Sequence, residues 1–284
     1  MEPVCYNHPN VVSYINCQRC QRPICATCQV PAAVGFQCQS CVTTGGKAQF
    51  SAQRTAQRKL AVANLTGGAV VTKSLIAGNI FVYLIQLALG WENFTLKYLF
   101  VPLLATDEPY RFITAGFLHS VSPPLIHVGM NMLVLWMVGP LVEQLLGKLK
   151  FTLLYFMSIV GGHAVILLLS TPKLTGSLDA WITPTVGASG AVFGLFGAAA
   201  VLLRHQPQQF RSFATLILIN FMIGFFLQNV SWQGHLGGVL TGAALAALYS
   251  QPAVRKSPGL LVGATLAVAA VLGILVQLGE SWLR

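Results

Sequence analysis

The chain has 284 residues, 55% of them hydrophobic and only 8% charged, with a mean hydropathy of +0.67. Water-soluble globular proteins carry about 25% charged residues, so the composition excludes that class and points to a polytopic membrane protein. A net charge of +10 would suggest nucleic acid as the partner of a soluble chain. In a membrane protein Lys and Arg collect on cytoplasmic loops instead, and no nucleic-acid partner is expected.

The amino terminus, MEPVCYNHPN, lacks the apolar run of a cleavable signal peptide, so insertion is expected to be driven by the spans themselves. Residues 1–42 hold every cysteine of the chain, in pairs two residues apart: Cys5 and His8, Cys17 and Cys20, Cys25 and Cys28, Cys38 and Cys41. Seven thiols and one imidazole make the ligand set of two tetrahedral zinc ions. A tight turn points both members of such a pair to one side. Alternating pairs suggest a cross-brace, with Cys5, His8, Cys25 and Cys28 on one ion and Cys17, Cys20, Cys38 and Cys41 on the other. Sequential pairing of neighbouring pairs satisfies the same count. A disulfide framework is disfavoured by the odd number of thiols and by a histidine in register. So short a segment has little core, so metal binding is expected to supply its folding energy. Thiolate ligands suit a reducing compartment and therefore a cytosolic amino terminus.

Residues 43–73 form a basic linker containing KAQFSAQRTAQRK, either a solvated tether or a strip lying on an anionic inner leaflet. Seven apolar runs follow: Ser74–Gly90, Leu125–Leu146, Leu149–Thr171, Val186–Leu203, Phe210–Gln228, Trp232–Tyr249 and Gly259–Leu278. Each approaches the roughly 20 residues a membrane helix needs. With the amino terminus inside, the inner loops carry Lys148, Lys150, Arg204, Arg211, Arg255 and Lys256, and the outer segments carry Glu92, Asp107, Glu108, Asp179 and Glu280. That bias satisfies the positive-inside rule and agrees with the cytosolic zinc module. The outer loop 91–124 is long enough to require structure of its own, and short helices at the membrane surface are expected there.

Polar groups at membrane depth mark function. His127 and Asn131 open span two, Ser189 opens span four and His235 opens span six. All three spans run from outside to inside, so the four groups share one layer near the outer surface. A serine needs a base to become a nucleophile, and histidine is the usual base; Ser189 and His235 fit that pair. His127 and Asn131, four residues apart on one helix face, are able to donate hydrogen bonds to an oxyanion. Gly187, Gly190 and Gly194 on span four, and Gly234, Gly238 and Gly242 on span six, have the spacing that lets helix backbones approach closely. Glu143 lies at the opposite end of span two and is expected to serve structure, as are His119 and His163. A second zinc site from His119, His127 and His235 is not supported, since no HExxH or matching carboxylate accompanies them.

The segments GASG around Ser189, HVGMNM from His127, GHLGGVLTG from Gly234, PYRFITAGFLH in the outer loop and the stretch around Glu143 resemble the rhomboid intramembrane serine proteases. The resemblance covers about residues 74–250, leaving 251–284 as a loop, a seventh helix and a tail. It implies an all-α membrane fold with a six-helix core plus one carboxy-terminal helix. It also implies Ser189 as nucleophile, His235 as general base without an acid, and oxyanion support from His127 and Asn131. Arg111 and Glu143 take structural roles, with Tyr110-Arg111 standing where the family usually has Trp-Arg. Lateral substrate entry would be gated by Phe225, Phe226 and the 229–232 turn. The implied reaction is hydrolysis of peptide bonds in or near the transmembrane helices of other proteins. The paired-ligand module resembles the B-box-type zinc finger attached to some actinobacterial rhomboids, a surface suited to a cytosolic partner. A catalytically inactive relative acting as a membrane chaperone or dislocation factor is the main rival, but such relatives usually lack the serine or the histidine. A transporter is the other, but no internal repeat supports it.

Overall fold

The computed structural model describes residues 2–32, 34–43, 68–226 and 230–281, and the chain divides into two compact units, Met1–Thr66 and Gly67–Arg284. Residues 44–67 of the basic linker, Asn229 of the expected gate and the side chains of Phe225 and Phe226 lie outside the described residues.

The first unit is two small antiparallel hairpins. β1 (Val4–Cys5) pairs with β2 (His8–Val12), and β3 (Gln29–Pro31) pairs with β4 (Phe36–Cys38). Two-stranded hairpins are marginal alone in water, and apolar burial adds little here. Among the described residues Ile24 is the one non-cysteine side chain in the buried apolar cluster, which otherwise consists of Cys5, Cys17, Cys25, Cys28 and Cys38.

The second unit is a helix bundle. Its long helices are α1 (Val70–Gly90), α2 (Ile126–Leu146), α3 (Lys148–Leu169), α4 (Ser189–Leu202), α5 (Pro207–Phe226), α6 (Trp232–Tyr249) and α7 (Pro258–Ser281). Among the described residues four stretches are long and apolar enough to cross a membrane: Val70–Tyr98, Ile126–Leu146, Lys148–Leu169 and Pro258–Ser281. The outward faces of α1 and α7 present Phe81, Leu84, Val262, Leu266 and Ile274. In water such faces would be an aggregation hazard; in hydrocarbon they are ordinary solvent contact. α4 is short and central, with every residue from Ala191 to Ala199 buried, as expected of a helix apolar all round.

α6 packs most extensively against α4 and α3, and glycines explain how. A Cβ at Gly238 would run into the carbonyl of Gly190, one at Gly242 into that of Gly194, and one at Gly237 into that of Gly161. Bare backbones therefore touch along both flanks of α6. Close approach through small residues is the membrane substitute for hydrophobic driving force, because lipid tails are as apolar as leucine.

Most helix boundaries shift by one to four residues from the sequence expectation, and two of the shifts have a clear cause. α1 begins at Val70 rather than Ser74 because Glu143 caps it: the carboxylate accepts from the backbone N–H of Val71 (3.0 Å), the N–H of Thr72 (2.8 Å) and the Thr72 hydroxyl (2.7 Å). α4 begins at Ser189 rather than Val186 because Gly187, at φ +135°, is outside the helical region.

The loop 91–124 is structured, with short helical turns at Trp91–Thr95, Leu96–Tyr98, Pro102–Leu104, Arg111–Thr114 and Ala115–Phe117. Arg111 holds it together. It pairs with Glu108 and donates to the carbonyls of Leu96 (2.9 Å) and Leu99 (2.7 Å). The loop reaches the segment before α4 through a two-way backbone bridge: Phe100 N–H donates to Thr185 (3.0 Å) and Thr185 N–H donates to Phe100 (2.8 Å). Gln86 of α1 fixes the loop's far end by exchanging hydrogen bonds with the backbone of His119.

Candidate active site

Ser189 is the first residue of α4, where helix N–H groups lack internal partners. The backbone is turned into position two residues earlier. Gly187 combines a positive φ with crowding: a Cβ there would lie 2.9 Å from His127 Nε2 and 3.7 Å from Ser189 Oγ. The His127 ring and the Ser189 hydroxyl thus flank one point above a bare glycine. Gly187 N–H donates to the carbonyl of Ala115 (3.0 Å), so the outer loop supports the same turn.

His127, near the start of α2, has a defined tautomer. Its Nδ1 accepts from the backbone N–H of Ser120 (3.1 Å). A nitrogen that accepts carries no proton, so in the neutral ring Nε2 bears it and is a donor. That donor is the atom beside Gly187. Asn131, one turn further along α2, is buried and donates to the His127 carbonyl (2.9 Å). One of its two amide hydrogens is thus spent within its own helix.

His235 is buried in the first turn of α6. Its ring lies flat against Phe193, with centroids 3.8 Å apart and planes 9° from parallel. Phe193 is one turn past Ser189 on α4, so the helix that bears the serine also fixes the plane of the histidine. Among the described residues His235 Nδ1 is buried without a hydrogen-bond partner, and no carboxylate bonds it. No hydrogen bond between Ser189 and His235 occurs among the described residues. Catalytic contacts of this kind commonly tighten only in the substrate complex.

The remaining sequence candidates lie apart from this layer or support it. Glu143 caps α1. Arg111 and Tyr110 brace the outer loop; the Tyr110 hydroxyl bonds Glu108 and the Lys97 carbonyl. His119 is fully buried and meets His127 edge-on, with centroids 5.1 Å apart. His163 stacks on Phe100 and bonds the Phe112 carbonyl. Sequence reading missed Phe193, Ser120 and the Phe100–Thr185 bridge. An aromatic four residues after a candidate nucleophile shares its helix face, so Phe193 was within reach. The other two are contacts between distant backbones and leave no local pattern.

In the amino-terminal unit the ligand atoms of Cys5, His8, Cys25 and Cys28 gather within 4.8 Å of one another, and so do those of Cys17, Cys20, Cys38 and Cys41. This is the alternating arrangement, not the sequential one. All seven cysteines are free. His8 Nδ1 lies 3.8, 3.2 and 3.4 Å from the sulfurs of Cys5, Cys25 and Cys28, and Cys20 Sγ lies 3.8 Å from Cys38 Sγ. A tetrahedral zinc with bonds of about 2.3 Å to sulfur and 2.0–2.1 Å to nitrogen spaces its ligands roughly 3.5–3.8 Å apart, so both sets fit the ion. Arg22 donates to Cys20 Sγ (3.4 Å) and sets a positive charge beside the all-thiol site.

The Rhomboid domain model matches residues 106–252, and the chain belongs to the rhomboid family. It is 32% identical over 181 residues to the rhomboid protease GluP of Bacillus subtilis (strain 168), an alignment covering 61% of this chain and 32% of that protein. It is 31% identical over 186 residues to Rhomboid-like protease 1 of Toxoplasma gondii, covering 62% and 58%. It is 30% identical over 203 residues to Rhomboid protein 1, mitochondrial, of Saccharomyces cerevisiae (strain ATCC 204508 / S288c), covering 64% and 54%. The chain thus spans between a third and three-fifths of the length of these relatives. Family and apolar helices together make it a multi-pass membrane protein.

Proposed function

We propose that the protein is an intramembrane serine endopeptidase that cleaves peptide bonds in or near the transmembrane helices of other membrane proteins, using Ser189 and His235. The observation that carries the reading is the glycine-tight contact between α4 and α6, which carry Ser189 and His235 in their first turns, beside a His127 donor. Residues 74–250 form the catalytic core in this reading.

The chemistry follows from the groups present. Ser189 Oγ attacks the scissile carbonyl while His235 removes its proton. The carbonyl oxygen gains the charge, and in this reading His127 Nε2–H, the Ser189 N–H and the remaining Asn131 amide hydrogen share it. His235 then gives its proton to the leaving amine, and the C–N bond breaks. Water attacks the acyl carbon with His235 as base, releasing the new carboxyl and restoring the hydroxyl. The missing acid is consistent with the apolar surroundings: stacking on Phe193 holds the ring, the job a carboxylate does elsewhere.

The amino terminus is assigned to the cytosol and the carboxy terminus to the outer side of the cell membrane, with the catalytic layer near the outer face. The two clusters of the first unit hold two structural zinc ions, and the metal takes no part in hydrolysis. The module serves as a recognition surface for a cytosolic partner.

The test is cleavage of a panel of single-span proteins by the purified enzyme, read by mass. Cleavage is expected with the wild type and absent with Ser189→Ala. An inactive chaperone-like relative would bind such proteins and cleave none.

A further inference from the structure

A small cavity opens beside Ser189, and the reaction above leaves one of its walls unused. Its volume is about 30 Å³, and its lining includes Ile159, Ile166, Thr185, Ser231 and His163. One water-sized group needs about 10–15 Å³ by the same measure, so the cavity takes a small side chain and excludes a large one. The room exists because Gly162 and Gly190 present no side chains there.

The polar wall has a definite sense. His163 Nδ1 lies 2.8 Å from the Phe112 carbonyl. A carbonyl only accepts, so Nδ1 carries the proton and Nε2 of the neutral ring is a bare acceptor. The ring is held from its face as well, stacked on Phe100 at 4.6 Å and 29°. The two hydroxyls beside it have already committed their hydrogens: Thr185 donates to the Phe100 carbonyl (3.2 Å) and Ser231 to the Gln233 side-chain oxygen (3.4 Å). Apart from the nucleophile itself, these three polar side chains therefore lack an uncommitted donor; Ser231 Oγ already accepts from the Gly234 N–H (3.3 Å), which leaves His163 Nε2 and the Thr185 oxygen to accept from an occupant. Buried acceptors of this kind favour an occupant that brings a donor.

The occupant follows from the reaction. Once the acyl carbon is bonded to Ser189 Oγ, the side chain of the residue that supplied that carbon starts two bonds away and remains beside the serine. We propose that His163 makes this cavity selective for a hydroxyl-bearing side chain, serine over alanine, on the residue that donates the scissile carbonyl. The proposal rests on the peptidase reading of Ser189 and adds a specificity-determining residue to it.

The experiment uses the full chain and three single-span substrates that differ only at that residue: serine, alanine or valine. For the wild type, kcat/KM for serine should exceed that for alanine by about 3–10-fold, the worth of one neutral hydrogen bond, and valine should be the poorest. In His163→Leu the serine-to-alanine ratio should fall to about one. In His163→Gln, whose amide both donates to Phe112 and offers an oxygen, part of the preference should return. A wild-type ratio of one or less overturns the inference, and this comparison stands even if His163→Leu does not fold. A ratio unchanged in His163→Leu, with all three substrates slowed alike, also overturns it and means that the cavity holds water. Failure of the wild type to cleave any of the three contradicts the peptidase reading itself.

Discussion

Among the described residues the apolar core of the amino-terminal unit is Ile24 and five cysteines, whereas α4 of the membrane unit alone buries an unbroken run from Ala191 to Ala199. One unit is organised around ligand atoms, the other around touching backbones. The contrast teaches where each is fragile. In the first, the decisive residues are eight side chains that converge in two clusters. In the second, the decisive residues are those with no side chain, because Gly190, Gly194, Gly237, Gly238 and Gly242 set how near Ser189 and His235 come.

The largest expected effect breaks the first unit and spares the second. Zinc binding supplies about 10–16 kcal/mol per ion in zinc-finger peptides, far more than so small a core. Chelation should unfold residues 2–43, read as rapid proteolysis of that segment. Cleavage of detergent-solubilised substrate should continue. Metal analysis should find two zinc ions for the two four-residue clusters, and Cys17→Ser should lower the number. Loss of cleavage on chelation would mean that the units are not independent.

The next effect breaks the second unit and spares the first. Gly238→Leu places a branched side chain against the Gly190 carbonyl. Overpacking of this kind costs about 1–3 kcal/mol or more, and here it also separates the candidate dyad. Cleavage should be lost while zinc content stays at the wild-type value. Retained activity would show that the glycine contact is not what aligns Ser189 with His235.

Glu143→Gln is a milder test of the same unit. The carboxylate takes three hydrogen bonds at the start of α1, and weakening them should cost about 1–3 kcal/mol. The thermal midpoint should fall, with cleavage per folded molecule little changed. A fall in turnover without a fall in midpoint would give Glu143 a catalytic role.

The smallest effect is at the outer loop. The Tyr110 hydroxyl and then Arg111 hold the Glu108 carboxyl below the usual carboxylate range. A depressed pKa stabilises the fold above the unfolded value of about 4.3 and loses that contribution as pH falls through the folded value. The difference in thermal midpoint between wild type and Glu108→Gln should be full at neutral pH, begin to shrink near the unfolded value of about 4.3 and disappear only below the depressed folded value. A difference that grew with acid would contradict the assignment.

Much of this was legible in the sequence because it is written in short periods. The apolar runs located the seven long helices to within a few residues, the two-residue spacing marked the members of both four-residue clusters, and a fourfold glycine repeat marked the contact between α4 and α6. Helix starts alone were enough to suggest that His127 and Ser189 lie near one another, as they do on either side of Gly187. What escaped depends on the fold in space. The start of α1 is set by Glu143, more than seventy residues away, and nothing near Val70 announces it. The tautomer of His127 depends on the Ser120 backbone, and the His235 ring plane on Phe193.

The central claim is that Ser189 is a nucleophile activated by His235. The most direct measurement is reaction of the purified, detergent-solubilised protein with a fluorophosphonate probe, followed by peptide mass mapping. The account predicts one adduct, on Ser189, absent in Ser189→Ala and strongly reduced in His235→Ala, since members of such a pair act as a unit. An adduct on another residue, or labelling of Ser189 undiminished in His235→Ala, would contradict it.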